Sequence, residues 1–167
     1  MDVILRSDRL VLRPLRLADA PAIVTGLNDF EVTRYLTRVP YPYTEADAQH
    51  WLATLKPPVP GVAHFAIELP GEGMIGVVSI ENELGYWLGE PHWGKGIMSE
   101  AVKALLEAAF ATRLYPRLKA RALKTNAGSL NVLEKAGFKR TGEGPDPIAH
   151  RSGELVVSLE LEQPKWT

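Results

Sequence analysis

The segment GEPHWGKGIMSEA, residues 89–101, places glycines and a lysine at a spacing that could hold a phosphate group. Gly89, Gly94 and Lys95 occupy the fixed positions of a phosphate loop, G-x-x-x-x-G-K. The next position should be Ser or Thr to bind Mg²⁺, but it is Gly96, and a second apolar strand ending in an acidic magnesium ligand is also missing. The residues therefore predict an anion-binding turn that lacks the magnesium chemistry of a nucleotide triphosphatase.

Two further interpretations of this glycine-containing turn depend on its neighbours. A dinucleotide fingerprint G-x-G-x-x-G would need a glycine where Ser99 stands, and its strand should open the fold rather than follow other elements. Alternatively, a strand leads into a turn of small residues that begins a helix, so the N–H groups of residues 94–98 converge with the positive end of the helix dipole. With the charge of Lys95, such a turn suits a diphosphate without magnesium, although a tight turn that binds nothing has the same pattern.

The composition excludes several classes of protein. With 167 residues, 46% of them hydrophobic, and a net charge of −1, the chain is expected to form one domain over residues 1–167, and no basic patch predicts a nucleic-acid partner. The absence of cysteine excludes disulfides, thiolate ligands and a cysteine nucleophile. The four histidines have no metal-ligand spacing, so no metal is predicted. Because the chain shows no signal-peptide pattern and no long apolar run, we expect a cytoplasmic protein without a membrane partner.

Hydrophobic periodicity and turn residues predict the order strand, two helices, three strands, helix, strand, helix, two strands. The predicted strands are 9–14, 63–69, 74–80, 83–88, 117–124, 139–143 and 155–161, and the predicted helices are 19–28, 44–55, 99–113 and 129–136. Thr44 and Asp47 form a capping box, while Gly137 followed by Phe138 is typical of a Schellman ending. The proline-rich segment 56–61 is a stiff connector. This order predicts an α/β (α+β) fold with a mixed sheet and helices on its faces.

Four segments, in order, resemble the GNAT superfamily of acetyl-CoA-dependent N-acetyltransferases. They are DRLVLRPL at 8–15, LGYWLG at 84–89, WGKGIMSEA at 93–101 and NAGSLNVLEKAGF at 126–138. The resemblance is greatest to the branch that includes ribosomal-protein N-terminal acetyltransferases and spermidine or aminoglycoside relatives. It implies one GNAT-like domain, whose mostly antiparallel sheet of about seven strands has helices on both faces and a splay between its fourth and fifth strands.

The resemblance also implies a binding site for acetyl-CoA, with the diphosphate on the glycine-containing turn. The fourth strand would pair with pantetheine, and a backbone N–H near Leu88 would hold the oxyanion of the tetrahedral intermediate. The cofactor-binding residues implied are Tyr86, Trp87, Leu88, Trp93, Gly94, Lys95, Gly96, Ile97, Met98, Asn126 and Ser129. The family loop, Q/R-x-x-G-x-G/A, has Trp93 in its first place and Met98 in its last here, which removes a side-chain contact but leaves the backbone groups.

Two side chains are candidates for catalysis. Ser129 suits the N-cap of the helix that follows it, and the resemblance implies that it donates to the departing sulfur; both roles stay open. Glu83 is the candidate general base, acting through a water, with Glu81 as the alternative and a solvated carboxylate as the structural interpretation. His64 and His92 are predicted to be structural.

The acceptor is predicted to be a primary amine, and the sequence leaves its identity open. An α-amine is substantially neutral near pH 7, whereas a lysine amine is not, so an α-amine needs less help from a base. The family resemblance implies that Tyr35, Trp51, Glu143 and Asp146 bind the acceptor, in a region that also holds Tyr41 and Tyr43. A solvated acidic turn is the other interpretation of the two carboxylates. The protein is predicted to be a monomer or homodimer, and a non-catalytic acyl-CoA-binding module is the competing function.

Overall fold

An eight-stranded sheet organises the protein, in the order β1-β2-β3-β4-β5-β6-β8-β7. The computed structural model describes residues 3–36, 38–55, 61–146 and 153–164. The strands are β1 (Leu5–Arg6), β2 (Val11–Pro14), β3 (Ala63–Leu69), β4 (Gly73–Ile80), β5 (Leu84–Leu88), β6 (Arg117–Leu123), β7 (Lys139–Pro145) and β8 (Leu155–Glu162). Neighbouring strands are antiparallel except β5 and β6, which run parallel. The mixed, mostly antiparallel sheet predicted from the sequence is thus confirmed.

Helices cover both faces of the sheet, as the sequence predicts. They are α1 (Ala20–Leu27), α2 (Phe30–Thr33), α3 (Glu45–Thr54), α4 (Ile97–Ala111) and α5 (Ala127–Lys135). One hydrophobic cluster contains residues of α4 and α5, and a second contains residues of α1 and α3. Alternate β5 side chains separate accordingly, with Tyr86 on the first cluster and Trp87 on the second, because successive strand residues point to opposite faces. Within the described ranges, no helix is long and apolar enough to cross a membrane.

Local signals at two helix ends are confirmed. Thr44 Oγ1 accepts a hydrogen bond from the Asp47 N–H at 3.2 Å, and the Asp47 carboxylate accepts from the Thr44 N–H at 2.8 Å. Past the end of α5, Gly137 adopts φ 105°, and the N–H of Phe138 donates to the Leu133 carbonyl at 3.0 Å. Both motifs are formed by neighbouring residues, so the sequence is sufficient to predict them.

The structure also differs from the sequence prediction. It adds β1, α2 and a 3₁₀ turn at Glu90–His92, and the eight strands among the described residues are consistent with the predicted number of about seven. The helix after the glycine-containing turn begins at Ile97 instead of 99, because left-handed Gly96 is already its N-cap. The predicted connector at 56–60 lies outside the described residues.

The prediction that Ser129 caps α5 is wrong. The helix begins at Ala127, and the Asn126 side chain is the cap, accepting from the Ser129 N–H at 3.1 Å. Ser129 therefore lies in the first turn, where its backbone N–H is satisfied by Asn126. Its hydroxyl is not needed for capping.

Arg13 and Asp19 form a buried ion pair that joins β2 to the beginning of α1. The guanidinium donates to both carboxylate oxygens of Asp19, at 2.8 and 3.0 Å, and to Glu68 of β3 at 2.7 Å. The hydrogen bond to Asp19 contributes most to raising the pKa of Arg13 above its ordinary value. The helix that this pair joins to β2 shares the second hydrophobic cluster with Trp87.

Candidate active site

The parallel strands β5 and β6 separate after one point of pairing. Their register places Leu84 opposite Ala120, and no second pair joins these two fully described strands. On the other side of β5, the Gly89 N–H donates to the Ile75 carbonyl at 2.9 Å. Because hydrogen-bonded pairs alternate along an antiparallel ladder, the backbone groups of Tyr86 and Leu88 point away from β4, into the gap beside β6.

A cavity of about 580 Å³ lies at this gap, lined by β5, β6 and α5. It brings together seven of the residues predicted from the sequence: Tyr35, Glu81, Glu83, Tyr86, Asn126, Ser129 and Asp146. Of these, Tyr86 was expected to act through its backbone, and the sequence did not indicate a role for its side chain. The gap in the sheet and the candidate catalytic residues therefore coincide.

Tyr86 and Ser129 are in direct contact at this cavity. The Tyr86 hydroxyl lies 2.7 Å from Ser129 Oγ and 3.2 Å from the Ser129 carbonyl oxygen. Burial raises the pKa of Tyr86 to about 12, although the hydrogen bond with Ser129 acts in the opposite direction. Tyr86 is therefore a neutral phenol throughout the physiological range, beside a serine that the helix cap leaves available.

Two carboxylates at the cavity have cationic or ionisable neighbours. Glu83 Oε2 accepts from Arg121 Nε at 2.9 Å, and the two side chains are 33% and 50% exposed. Glu81 Oε2 lies 3.7 Å from Nε2 of His64. Burial lowers the pKa of His64, against the opposing effect of Glu81, so the imidazole is neutral at pH 7. Of the two carboxylates, Glu83 is the one held in place by a hydrogen bond.

The predicted acceptor-binding residues do not all reach the cavity. Tyr35 and Asp146 line it, whereas Trp51 packs against the second hydrophobic cluster and Glu143 forms an ion pair with Lys124 at 3.0 Å. Neither Trp51, on α3, nor Glu143, on β7, belongs to the lining. The roles of these two residues in acceptor binding stay predictions.

The neighbouring aromatics and the second histidine also lie outside the lining. Tyr41 is exposed with its ring 5.5 Å from that of Phe30, and Tyr43 is buried in the second cluster. His92 lies in the 3₁₀ turn, its Nδ1 3.7 Å from the Glu72 carboxylate.

The glycine-containing turn follows β5 directly and begins α4. Gly94 and Gly96 both have φ 72°, a left-handed conformation that other residues rarely adopt. The indole N–H of Trp93 donates to the Leu88 carbonyl at 2.7 Å, which fastens the turn to the end of β5. This contact gives Trp93 a structural role at the position where the family motif has a different residue.

Arg9 contacts the same turn from the beginning of the chain and was missed by the sequence interpretation. Its guanidinium donates to the Lys95 carbonyl at 2.9 Å and to the Glu100 carboxylate at 2.8 Å. The Arg9 N–H also donates to Glu100, at 3.0 Å. Arg9 belongs to the segment 8–15 that resembles the family, and this was the one signal that it matters. The segment did not indicate that Arg9 contacts a residue of α4.

Comparison with known proteins agrees with this geometry. The family model described as "Acetyltransferase (GNAT) domain" matches residues 9–139. The chain is 31% identical over 149 residues to the uncharacterized N-acetyltransferase p20 of Bacillus licheniformis, with 83% of each protein covered. The crystal structure of a GNAT-family acetyltransferase from Bacillus anthracis superposes with a TM-score of 0.84 at 23% identity, covering 96% of this chain and 99% of that one.

A second solved structure is that of RimL, a ribosomal L7/L12 alpha-N-protein acetyltransferase in complex with coenzyme A. It has a TM-score of 0.83 at 19% identity and covers 96% of this chain and 98% of its own. At such identities the two structures show the fold alone. The family match, which spans most of the chain, shows that the protein belongs to the GNAT acetyltransferases and is an acetyl-CoA-dependent enzyme.

Proposed function

We propose that the protein transfers the acetyl group of acetyl-CoA to a primary amine by direct attack, in the cavity between β5 and β6. The observation that carries this proposal is that Glu83 and Ser129 line the same cavity, which lies at the gap beside Tyr86. A thioester carbonyl in that gap would have a carboxylate and a hydroxyl within the same space. The chain contains no cysteine, so a thioester intermediate on the enzyme cannot form.

The glycine-containing turn is proposed to hold the diphosphate of the cosubstrate. The first N–H groups of α4, including those of Ile97 and Met98, have no partner within the helix and favour an anion. Lys95 adds a positive charge, and Arg9 braces the turn through the Lys95 carbonyl. These N–H groups and Lys95 form a cradle that suits a diphosphate and needs no magnesium.

The pantetheine arm is proposed to pair with β5 at Tyr86 and Leu88. Both residues direct backbone groups into the gap, while those of Trp87 face β4 and leave this role to its two neighbours. The Leu88 N–H would then stabilise the oxyanion that forms as the amine attacks. Asn126, which holds the first turn of α5, would border the arm on its other side.

The chemical step requires the amine to lose a proton and the sulfur to gain stabilisation. The amine nitrogen forms a bond to the carbonyl carbon, and collapse of the tetrahedral intermediate breaks the C–S bond, so the electron pair leaves on the thiolate. Glu83 would accept the amine proton through a water, and Ser129 would donate a hydrogen bond to the thiolate. A thiol of pKa about 8.5 needs only modest help to leave.

A protein N-terminal α-amine is the proposed acceptor, with polyamines and aminoglycosides as the other candidates. The RimL structure belongs to an enzyme named for the N-terminal acetylation of a ribosomal protein. Glu81, Glu83 and Asp146 line the cavity, and carboxylates favour the approach of a cationic amine. An α-amine with pKa about 7.7–8.0 can be deprotonated by a weak base such as Glu83.

The melting temperature with acetyl-CoA, measured beside Mg-ATP and NAD as controls, tests this function. Ligand at 100 times its dissociation constant should stabilise the protein by about 2.7 kcal/mol, which raises the melting temperature by roughly 5–10 °C. Coenzyme A release should then follow addition of peptides with free N-termini, polyamines or aminoglycosides. A rise with Mg-ATP alone would contradict the proposed cradle.

An acyl-CoA-binding module without catalysis is the second candidate function. The observation that favours it is the Glu83–Arg121 ion pair, because the Glu83 Oε2 atom that accepts from Arg121 Nε at 2.9 Å is already engaged and less available to a water. Stabilisation by acetyl-CoA without release of coenzyme A in any acceptor reaction would support this alternative.

Replacing Gly96 with alanine should weaken acetyl-CoA binding by about tenfold or more. A side chain is strained at φ 72°, by about 1–2 kcal/mol, and relief of that strain would turn the N–H groups of the turn away from the diphosphate. The added Cβ would also lie 3.6 Å from the Arg9 guanidinium. Isothermal titration with acetyl-CoA measures the change in affinity.

Gly71→Ala is the matched control for this variant. Gly71 has φ 90° in the β3–β4 turn, and a Cβ added there would have no described neighbour within 4 Å, so alanine causes the same kind of strain outside the glycine-containing turn. Both variants should lose similar thermal stability, but Gly71→Ala should retain wild-type affinity. Equal affinities in all three proteins would rule out a role for the turn in binding.

A further inference from the structure

We propose that Tyr86 is a positioning residue that orients the Ser129 hydroxyl toward the sulfur of coenzyme A. This inference rests on the proposed function, and it assigns a role to the Tyr86 side chain in addition to its backbone. The carrying observation is the pair of contacts that the Tyr86 hydroxyl makes with one residue, 2.7 Å to Ser129 Oγ and 3.2 Å to the Ser129 carbonyl.

The two contacts define two hydrogen-bonding states of the pair. A carbonyl accepts only, so when the Tyr86 proton points to the Ser129 carbonyl, the short contact between hydroxyls requires Ser129 to donate to Tyr86. When the Tyr86 proton points to Ser129 Oγ instead, the serine proton is released toward the cavity. A thiolate in the cavity would favour the second state, because it attracts the serine O–H.

The surroundings keep Ser129 Oγ in place in both states. Ser129 is fixed through its N–H by the Asn126 side chain at 3.1 Å, and the Tyr86 ring packs against the first hydrophobic cluster. Only the two hydroxyl protons need to move when the state changes. Tyr86 can therefore direct the serine proton without any rearrangement of the backbone.

Tyr86 acts by orientation and does not act as the acid that protonates the leaving group. Burial raises the pKa of Tyr86 to about 12, whereas a thiol has a pKa of about 8.5, so transfer of the phenol proton to the thiolate is unfavourable by more than a thousandfold. The same elevated pKa keeps the phenol protonated at every working pH. Ser129 contacts the sulfur, and Tyr86 sets the direction of that contact.

The affinity of coenzyme A relative to desulfo-coenzyme A, which lacks the thiol, tests this role without any acceptor. In the wild-type protein, coenzyme A should gain about tenfold in relative affinity between pH 7 and pH 9.5, as its thiol ionises and accepts a hydrogen bond from the serine hydroxyl. Tyr86→Phe and Ser129→Ala should each remove most of this gain. Titration calorimetry at the two pH values measures it.

Kinetics provide the second readout. Tyr86→Phe should lower kcat by about fivefold to tenfold, with the KM for acetyl-CoA and the melting temperature little changed, since the ring keeps its packing. In the Ser129→Ala background, the same substitution should have no further effect, because Tyr86 acts through the serine. Tyr115→Phe is the matched control, a half-buried tyrosine outside the cavity lining, and should leave kcat and the affinity ratio unchanged.

The outcomes separate this inference from the proposed function. If both ligands bind and the ratio changes with pH in Tyr86→Phe as in the wild type, Tyr86 does not position Ser129, whereas the cofactor cradle stands. If Tyr86→Phe lowers kcat by the same factor in the wild-type and Ser129→Ala backgrounds, Tyr86 acts independently of the serine and the inference is overturned. If neither coenzyme A nor desulfo-coenzyme A binds to the wild-type protein, the proposed function fails together with it.

Discussion

Glu83→Gln is expected to lower kcat/KM for acetyl transfer by about a hundredfold near pH 7. Glutamine keeps the size of the side chain but cannot accept the proton of the amine, and general base catalysis contributes about 10²–10⁴-fold. Glu83 lines the cavity, and the hydrogen bond from Arg121 at 2.9 Å orients its carboxylate. Steady-state rates of coenzyme A release measure the effect.

The loss should depend on pH in a way that identifies the acceptor. An α-amine is already neutral above its pKa of about 7.7–8.0, so the effect of Glu83→Gln should shrink to about tenfold at pH 9. For an amine with pKa about 10.4, the loss should persist over the same range. The pH profile of the variant thus reports on the acceptor as well as on the base.

Glu143→Gln is the control for the broken ion pair. Glu143 binds Lys124 at 3.0 Å, in a pair about as exposed as that of Glu83 and Arg121, but it lies outside the cavity lining. Exposed pairs contribute little, about 0–1 kcal/mol, so both variants should melt close to the wild type. If Glu83→Gln turns over at the wild-type rate, Glu83 is not the general base. Glu81→Gln then tests whether Glu81 is.

Asp19→Ala should destabilise the protein by about 3–5 kcal/mol, which corresponds to a fall in melting temperature of about 6–20 °C. Asp19 is 4% exposed and accepts from the Arg13 guanidinium through both oxygens and from the Arg16 N–H at 2.9 Å. Removing it leaves a largely buried guanidinium with Glu68 as its remaining carboxylate partner among the described residues. Thermal and urea unfolding measure the loss.

The matched comparison is an ion pair at the surface. Glu134 and Arg140 are 2.6 Å apart, with each side chain 46% exposed, so Glu134→Ala should cost no more than about 1 kcal/mol. The double variant Arg13→Met, Asp19→Leu should recover part of the stability lost in Asp19→Ala, because no buried charge then lacks a partner. If Asp19→Ala and Glu134→Ala lose the same free energy of unfolding, the buried pair contributes no more to stability than the surface pair.

Local residue order was enough to predict most elements of the fold. The capping box at Thr44 and the glycine ending at Gly137 depend on contacts within one helical turn, so their neighbours in the sequence define them. Among the elements that were missed, β1 depends on a separate strand. The two-residue strand β1 has no periodicity of its own and exists because Leu5 and Arg6 pair with Leu12 and Val11.

The position of the α5 N-terminus shows why a plausible local signal can be wrong. Both Asn126 and Ser129 are good N-cap residues, and the sequence offered no reason to prefer the earlier one. The choice of Asn126 releases the Ser129 hydroxyl, which then meets Tyr86 from β5. A shift of a few residues in the helix boundary thus decides whether the serine hydroxyl caps the helix or is available at the cavity.

The sequence by itself determined the class of protein, the glycine-containing turn and several of the side chains at the cavity. These follow from residue types at short spacings, which physical chemistry and family resemblance both constrain. The tertiary structure alone decided which candidate residues contact one another or line the cavity. Tyr86 contacts a residue 43 positions away and Arg9 one 86 positions away, while Trp51 and Glu143 are turned elsewhere. The reason is physical: such contacts depend on the order of strands in the sheet and on the parting of β5 from β6, and neither is encoded in any short stretch of chain.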